Sequence, residues 1–110
     1  MYTLSTLVQV VNGQLISTIS TDSEINDILI DSRKLISPVG TIFIALKTKK
    51  NDGHKYIASL YKRGMRNFLV SSLPETMDNY SDSSFILVAD TLNALQLLAT
   101  NRRKKFDIPV

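Results

Sequence analysis

The sequence predicts an α/β domain: a small sheet built on parallel βαβ units, with about three helices. Three observations lead there. Short apolar runs rich in β-branched and aromatic residues alternate with stripes of helical period. The run Thr41 to Leu46 is apolar on both parities, the pattern of a strand covered on both faces. A helix-length segment separates it from Asn67-Phe68-Leu69-Val70-Ser71, which makes a right-handed parallel crossover the expected connection.

Taken in order, Leu4, Leu7, Val8 and Val11 have helical spacing, and Asn12-Gly13 suits a left-handed helix stop. Gln14 to Ser20 reads as a strand, and Thr21 to Glu24 as a polar turn. Ile28-Leu29-Ile30 is a buried strand that opens into Asp31-Ser32-Arg33. Ser37-Pro38-Val39-Gly40 matches a type I turn. Thr41 to Leu46 is then a strand placed centrally in the sheet. After the polar loop Lys47 to Asp52, a helix carries Ile57, Ala58, Leu60 and Tyr61 on one stripe and stops at Gly64. Beyond strand Asn67 to Ser71, a polar loop spans Leu73 to Ser84 and an apolar strand spans Phe85 to Ala89. Asp90 caps a third helix with Leu92, Ala94, Leu95, Leu98 and Ala99 as its apolar face, and basic residues sit at the end where the dipole favours cations. Ile108-Pro109-Val110 begins a fresh apolar run, which implies continuation beyond a domain boundary near Val110.

The 110 residues, 44% of them apolar, fit a single domain. No apolar run reaches the roughly 20 residues a bilayer requires, and the N-terminus lacks the pattern of a secretory signal, so the expected location is the cytoplasm with no membrane partner. With no cysteine the chain has neither disulfides nor thiolate metal sites, and the single histidine, His54, argues against zinc. A net charge of +3 would help an anionic ligand approach but is small for a dedicated nucleic-acid binder. Neither a GxxxxGK[ST] phosphate loop nor a GxGxxG fingerprint occurs, so these residues have no recognisable seat for ATP.

Two segments carry the chemistry. Asp31-Ser32-Arg33 follows a buried strand, where open α/β sheets present ligand-binding groups. It reads either as a hydroxyl and forked donor set for phosphate, or as a local Asp31–Arg33 ion pair around a turn. Lys47, Lys49, Lys50 and Asn51 precede a helix start, which suits either a diphosphate or a solvated basic loop in which Asp52 caps the helix. His54, on the first turn, reads either as a polar neighbour of the site or, preferentially, as a surface or capping residue. Arg102-Arg103-Lys104-Lys105 is explained by a solvated helix end, with nucleic acid as the lesser reading. No evidence joins Asp31, Ser32 and His54 into a hydrolytic relay.

The order of these pieces, "DSRKLISPVGTIFIALKTKKNDGHKYIASLYKRGMRNFLVSS", resembles the N-terminal domain of the Mur ligases. There an Asp-Ser-Arg or Asp-Thr-Arg triplet precedes a Pro-Gly turn, an "lFvAl" strand and a "DGH" helix start. The opening "LSTLVQVVNGQL" is more similar to the ligase that adds D-alanyl-D-alanine than to the one that adds the third stem-peptide residue. The resemblance implies that residues 1–110 bind the uridine diphosphate end of UDP-N-acetylmuramoyl-tripeptide, through Ile30, Ser32, Arg33, Lys49, Lys50 and Asn51. It implies no catalytic residue and no metal here. ATP and Mg²⁺ belong with a central ATPase domain, which "IPV" commonly introduces and which would be a partner of this domain in the full-length ligase. Thr48 stands where relatives often carry glycine, and Met65 where they carry alanine. The alternatives are the same domain of the ligase adding the third residue, or a non-catalytic module for nucleic acid or protein.

Overall fold

The computed structural model describes residues 2–17, 24–34, 40–49, 52–75, 77–80 and 82–106. Strand β1 (Tyr2–Thr3) enters helix α1 (Leu4–Val11), followed by β2 (Gln14–Ser17), β3 (Glu24–Ile25), β4 (Asp27–Leu29) and β5 (Thr41–Ile44). A 3-10 turn (Gly53–Tyr56) runs into α2 (Ile57–Lys62), and β6 (Asn67–Val70), β7 (Ser84–Leu87) and α3 (Thr91–Phe106) complete the order. Five strands form one mixed sheet in the order β2-β7-β6-β5-β4. Strands β4 to β7 are mutually parallel, and β2 runs antiparallel along β7.

Strand alternation sorts the side chains into two apolar layers. Ile42, Ile44, Leu69 and Ile86 face α1 and α3, where they meet Leu4, Leu7, Val11, Ala94 and Leu98. Phe43, Ala45, Phe68, Val70 and Phe85 face the other way, against Ile57, Leu60 and Met65 around α2. Both faces of the sheet are covered, which is why β5 and β6 are buried at every position. The rings of Phe68 and Phe85, paired in register across β6 and β7, stack with centroids 5.1 Å apart.

The helix ends follow from local chemistry. Thr3 caps α1 by accepting from the Thr6 amide at 3.2 Å, and Asn12 takes the left-handed conformation at its end, φ 55°. Gly13 packs so closely that an added Cβ would lie 2.8 Å from Ile86. After α2, Gly64 has φ 102°, and the amide of Met65 returns to the Leu60 carbonyl at 3.0 Å. That is a Schellman stop, whose apolar clasp is the contact of buried Met65 with the Leu60 layer. The larger residue at position 65 therefore belongs to the core.

The structure departs from the sequence reading in particular places. Glu24 lies in β3, which pairs antiparallel with β1 as a separate two-stranded ribbon, instead of in a turn. The loop from Leu73 to Ser84 contains a 3-10 turn, Met77–Tyr80, and the Tyr80 ring meets Tyr61 and Phe85 edge-on. Strand β5 is an interior strand, but β6 holds the middle of the sheet. On α3, Ala94 and Leu98 are buried while Leu92 and Ala99 are exposed, because only the residues one turn apart that face α1 and the sheet are covered. The expected turn Ser37-Pro38-Val39 and the strand extension through 18–20 lie outside the described residues. Among the described residues no helix is long and apolar enough to cross a membrane.

Replacing Phe68 by alanine removes a fully buried ring at the centre of one layer. The expected cost is about 3–5 kcal/mol, read from urea unfolding. A loss below about 1 kcal/mol, within the range of an ordinary surface change, would contradict that placement.

Candidate functional site

Parallel strands release their following loops at one edge of the sheet, and at the β4–β5 end of that edge lies a cleft of about 520 Å³. Ile30, Asp31 and Arg33 form one wall; Leu46, Thr48, Gly53 and Tyr56 form the other. The two segments meet because β4 and β5 pair in parallel, Leu29 opposite Phe43, so both chains emerge side by side.

On the first wall, the chain leaves β4 through a 3-10 turn, Ser32–Lys34, closed by the Lys34 amide on the Asp31 carbonyl at 3.0 Å. The Asp31 carboxylate accepts from the Arg33 amide at 3.0 Å and from Nε and Nη2 of the same arginine at 3.1 and 3.0 Å. The local ion pair is thus formed, with the Arg33 side chain 88% exposed. These side-chain and backbone hydrogen bonds from Arg33 hold the Asp31 carboxyl down at about 2. Ile30 is 51% exposed, an unusual position for an isoleucine at the end of a buried strand, and it also borders a smaller apolar groove lined by Ile28, Leu95, Leu98 and Ala99.

The second wall is a loop with a closed neck. After β5 the Leu46 amide donates to Ile44 O at 2.9 Å, and Lys47 and Asp52 face each other in an antiparallel bridge. The Gly53 amide donates to Leu46 O at 2.6 Å. An added Cβ at Gly53 would stand 2.9 Å from Leu46 N and 3.1 Å from Ala45 Cα, both backbone atoms that cannot swing away, so this position requires glycine. The Lys47 amide donates to Thr91 Oγ1 at 3.2 Å, which ties the neck to the start of α3. Asp52 caps the following 3-10 turn by accepting from the His54 amide at 3.0 Å. Its partial burial acts to raise its carboxyl, but the hydrogen bonds from His54 outweigh that and leave it below the usual range.

His54 is not a surface residue. Its ring is 13% exposed, with Nδ1 2.5 Å from Asp52 Oδ1 and Nε2 accepting from the Ser71 amide at 3.0 Å. An amide N–H can only donate, so Nε2 presents its lone pair and Nδ1 carries the proton toward Asp52.

Of the residues singled out in the sequence, Ile30 and Arg33 line the cleft. Ser32 is placed by its backbone in the turn between them, and Lys49 is exposed on the loop without lining the cleft. Lys50 and Asn51 lie outside the described residues. Thr48 and Tyr56 are additions; helical phase from Gly53 would have turned Tyr56 toward the loop, whereas Thr48 carries no signal in its residue type. Among the described residues no group of three or more His, Asp or Glu side chains could hold a metal ion. Nor does the sequence contain a phosphate loop of the GxxxxGK[ST] type.

No family model matches the chain. Known proteins do. It is 38% identical over 96 residues to the UDP-N-acetylmuramoyl-L-alanyl-D-glutamate–2,6-diaminopimelate ligase of Phocaeicola vulgatus, covering 86% of this chain and 19% of that protein. It is 34% identical over 99 residues to the UDP-N-acetylmuramoyl-tripeptide–D-alanyl-D-alanine ligase of Synechocystis sp., covering 86% of this chain and 20% of that protein. Among solved structures, the UDP-N-acetylmuramoylalanyl-D-glutamyl-2,6-diaminopimelate–D-alanyl-D-alanyl ligase of Acinetobacter baumannii superposes with a TM-score of 0.76 at 29% identity, over 94% of this chain and 22% of that one. The chain spans about a fifth of the length of the relatives it matches, at their N-terminal part.

The Asp31–Arg33 pair gives a pH prediction. A carboxyl depressed to about 2 lends its pairing to the folded state fully above the ordinary aspartate value of 3.8 and loses it as pH falls through about 2. The Asp31 carboxyl carbon should titrate near 2 by NMR, and Arg33→Gln should move the midpoint toward 3.8. An unshifted midpoint in the unsubstituted protein would mean that the pair does not persist in solution.

Proposed function

This chain belongs to the Mur ligase family as a homologue of its N-terminal domain, and from that premise we propose that it binds the uridine diphosphate end of UDP-N-acetylmuramoyl-tripeptide. The ligase it serves joins D-alanyl-D-alanine to that precursor in the cytoplasm, at the expense of ATP, during peptidoglycan synthesis. The observation that carries the reading is the cleft itself, which brings the Ile30 to Arg33 turn and the Leu46 to Gly53 loop together at the carboxyl ends of two parallel strands.

The chemistry suits such a ligand. Backbone amides of a tight turn, the Ser32 hydroxyl and the Arg33 fork offer donors to a base edge or a phosphate. Arg33 spends Nε and one Nη2 hydrogen on Asp31, and a guanidinium with five N–H donors retains three. The family resemblance adds Lys49, Lys50 and Asn51 as further contacts; Lys49 among them is exposed on the facing loop. ATP and Mg²⁺ act in the central domain, a partner within the full-length protein. The residues described here do no bond-making. By holding the remote nucleotide they fix the reactive peptide end, and such positioning can lower a barrier by several kcal/mol.

The D-alanyl-D-alanine assignment is supported by the "LSTLVQVVNGQL" opening, the Synechocystis relative and the Acinetobacter structure. The Phocaeicola relative favours the second reading, in which the same domain serves the ligase that adds diaminopimelate. The full-length protein assayed with the dipeptide and the tripeptide precursor separates the two: turnover of the tripeptide with D-alanyl-D-alanine supports the first, turnover of the dipeptide with diaminopimelate the second.

The tripeptide precursor should shift backbone NMR signals of Ile30 to Arg33 and of Lys47 to Asn51; shifts confined to Arg102 to Lys105 would reject the cleft as the binding site. Ser32→Ala should weaken binding by about tenfold, the loss of one hydrogen bond to a charged or polar ligand group, with the fold intact. An unchanged dissociation constant would remove Ser32 from the contact set.

A further inference from the structure

His54 lies outside the cleft lining, yet it links the cleft loop to the end of β6. One side of its ring meets Asp52, at the neck of the loop; the other receives the Ser71 amide, where the chain leaves β6. The Ser71 hydroxyl lies 3.5 Å from the same Nε2. Gly53, between Asp52 and His54 in the chain, is wedged against the backbone of Ala45 and Leu46. Asp52 also faces Lys47 across the loop neck and Gly53 lines the cleft, so the position of Asp52 bears directly on the cleft wall.

We propose that His54 is a positioning residue for the nucleotide cleft: as the Nδ1–H tautomer it bridges the Asp52 cap to the Ser71 amide and so fixes the Leu46 to Gly53 wall. The proposal rests on the reading of the cleft as a uridine diphosphate site. It gives the histidine a role that packing alone would not require. A residue needed only to fill space can be replaced by an apolar side chain of similar size, whereas this bridge needs an acceptor at the Nε2 position and a fixed ring orientation. Glutamine can place its Oε1 near the Nε2 position and accept from Ser71; leucine fills the volume and accepts nothing.

The test compares the unsubstituted full-length protein with His54→Gln and His54→Leu, by calorimetric titration with uridine 5′-diphosphate and by hydrogen exchange at the Gly53 and Ser71 amides. His54→Leu should raise the dissociation constant about tenfold or more, as displaced site geometry does, and speed exchange at both amides. His54→Gln should stay within about threefold, since the acceptor is kept. Equal binding by His54→Leu and the unsubstituted protein would overturn the positioning role alone. Equal losses in both variants, tracking their melting temperatures, would reduce His54 to packing and overturn it too. An imidazole NMR spectrum with the proton on Nε2 would likewise reject the bridge. If the unsubstituted protein fails to bind uridine 5′-diphosphate, the nucleotide reading is rejected and this proposal falls with it.

Discussion

Parallel pairing of β4 to β7 is the constraint on which the remaining architecture depends. Parallel strands need a crossover, and the one between β5 and β6 carries α2 over one face of the sheet; α1, which leads into β2, and α3, which follows β7, cover the other face. With both faces covered by apolar side chains, polar groups are favoured at the strand ends. All four parallel strands end at the same edge, so Ile30 to Arg33, the loop after β5, Ser71 and Asp90 are drawn toward one rim. The cleft is the gap left at that rim between two neighbouring exits, and its depth is set by how tightly the second loop folds back on β5 through Gly53.

What could be read in the sequence was what depends on near neighbours along the chain. The bounds of α1 follow from apolar spacing and the Asn12-Gly13 stop, and Asp90 caps α3 by accepting from the Leu92 amide at 2.9 Å, as its position before an apolar helix implied. The β5-α2-β6 crossover was legible for the same reason. The β1–β3 ribbon was not, because two pairs of residues far apart in sequence leave no periodicity. Leu92 and Ala99 look like core residues by type, but burial on a helix is decided by its rotation against its neighbours, which composition does not record. Asp52 as a cap was visible two residues from its donor, whereas the Ser71 partner of His54 is seventeen residues away and is set by the sheet.

The electrostatics of the cleft are more restrained than a count of lysines and arginines suggests. Asp31 neutralises the nearest arginine and fixes its fork, so the first wall presents oriented donors with little net charge. An exposed pair of this kind adds little to folding. Its effect is on geometry, because the Asp31 carboxylate also takes the Arg33 amide and thereby holds the turn and the side chain as one unit. The loop beyond β5 is likewise mixed in charge, with Lys49 exposed and Asp52 facing Lys47 at its neck.

The hydrogen bond from the Lys47 amide to Thr91 Oγ1 crosses from that loop to the first residue of the terminal helix. Sixteen residues of α-helix measure about 24 Å. The first turns of that helix are seated in the core through buried Ala94 and Leu98, so the Thr91 hydroxyl moors the loop to a helix that is itself held against the sheet.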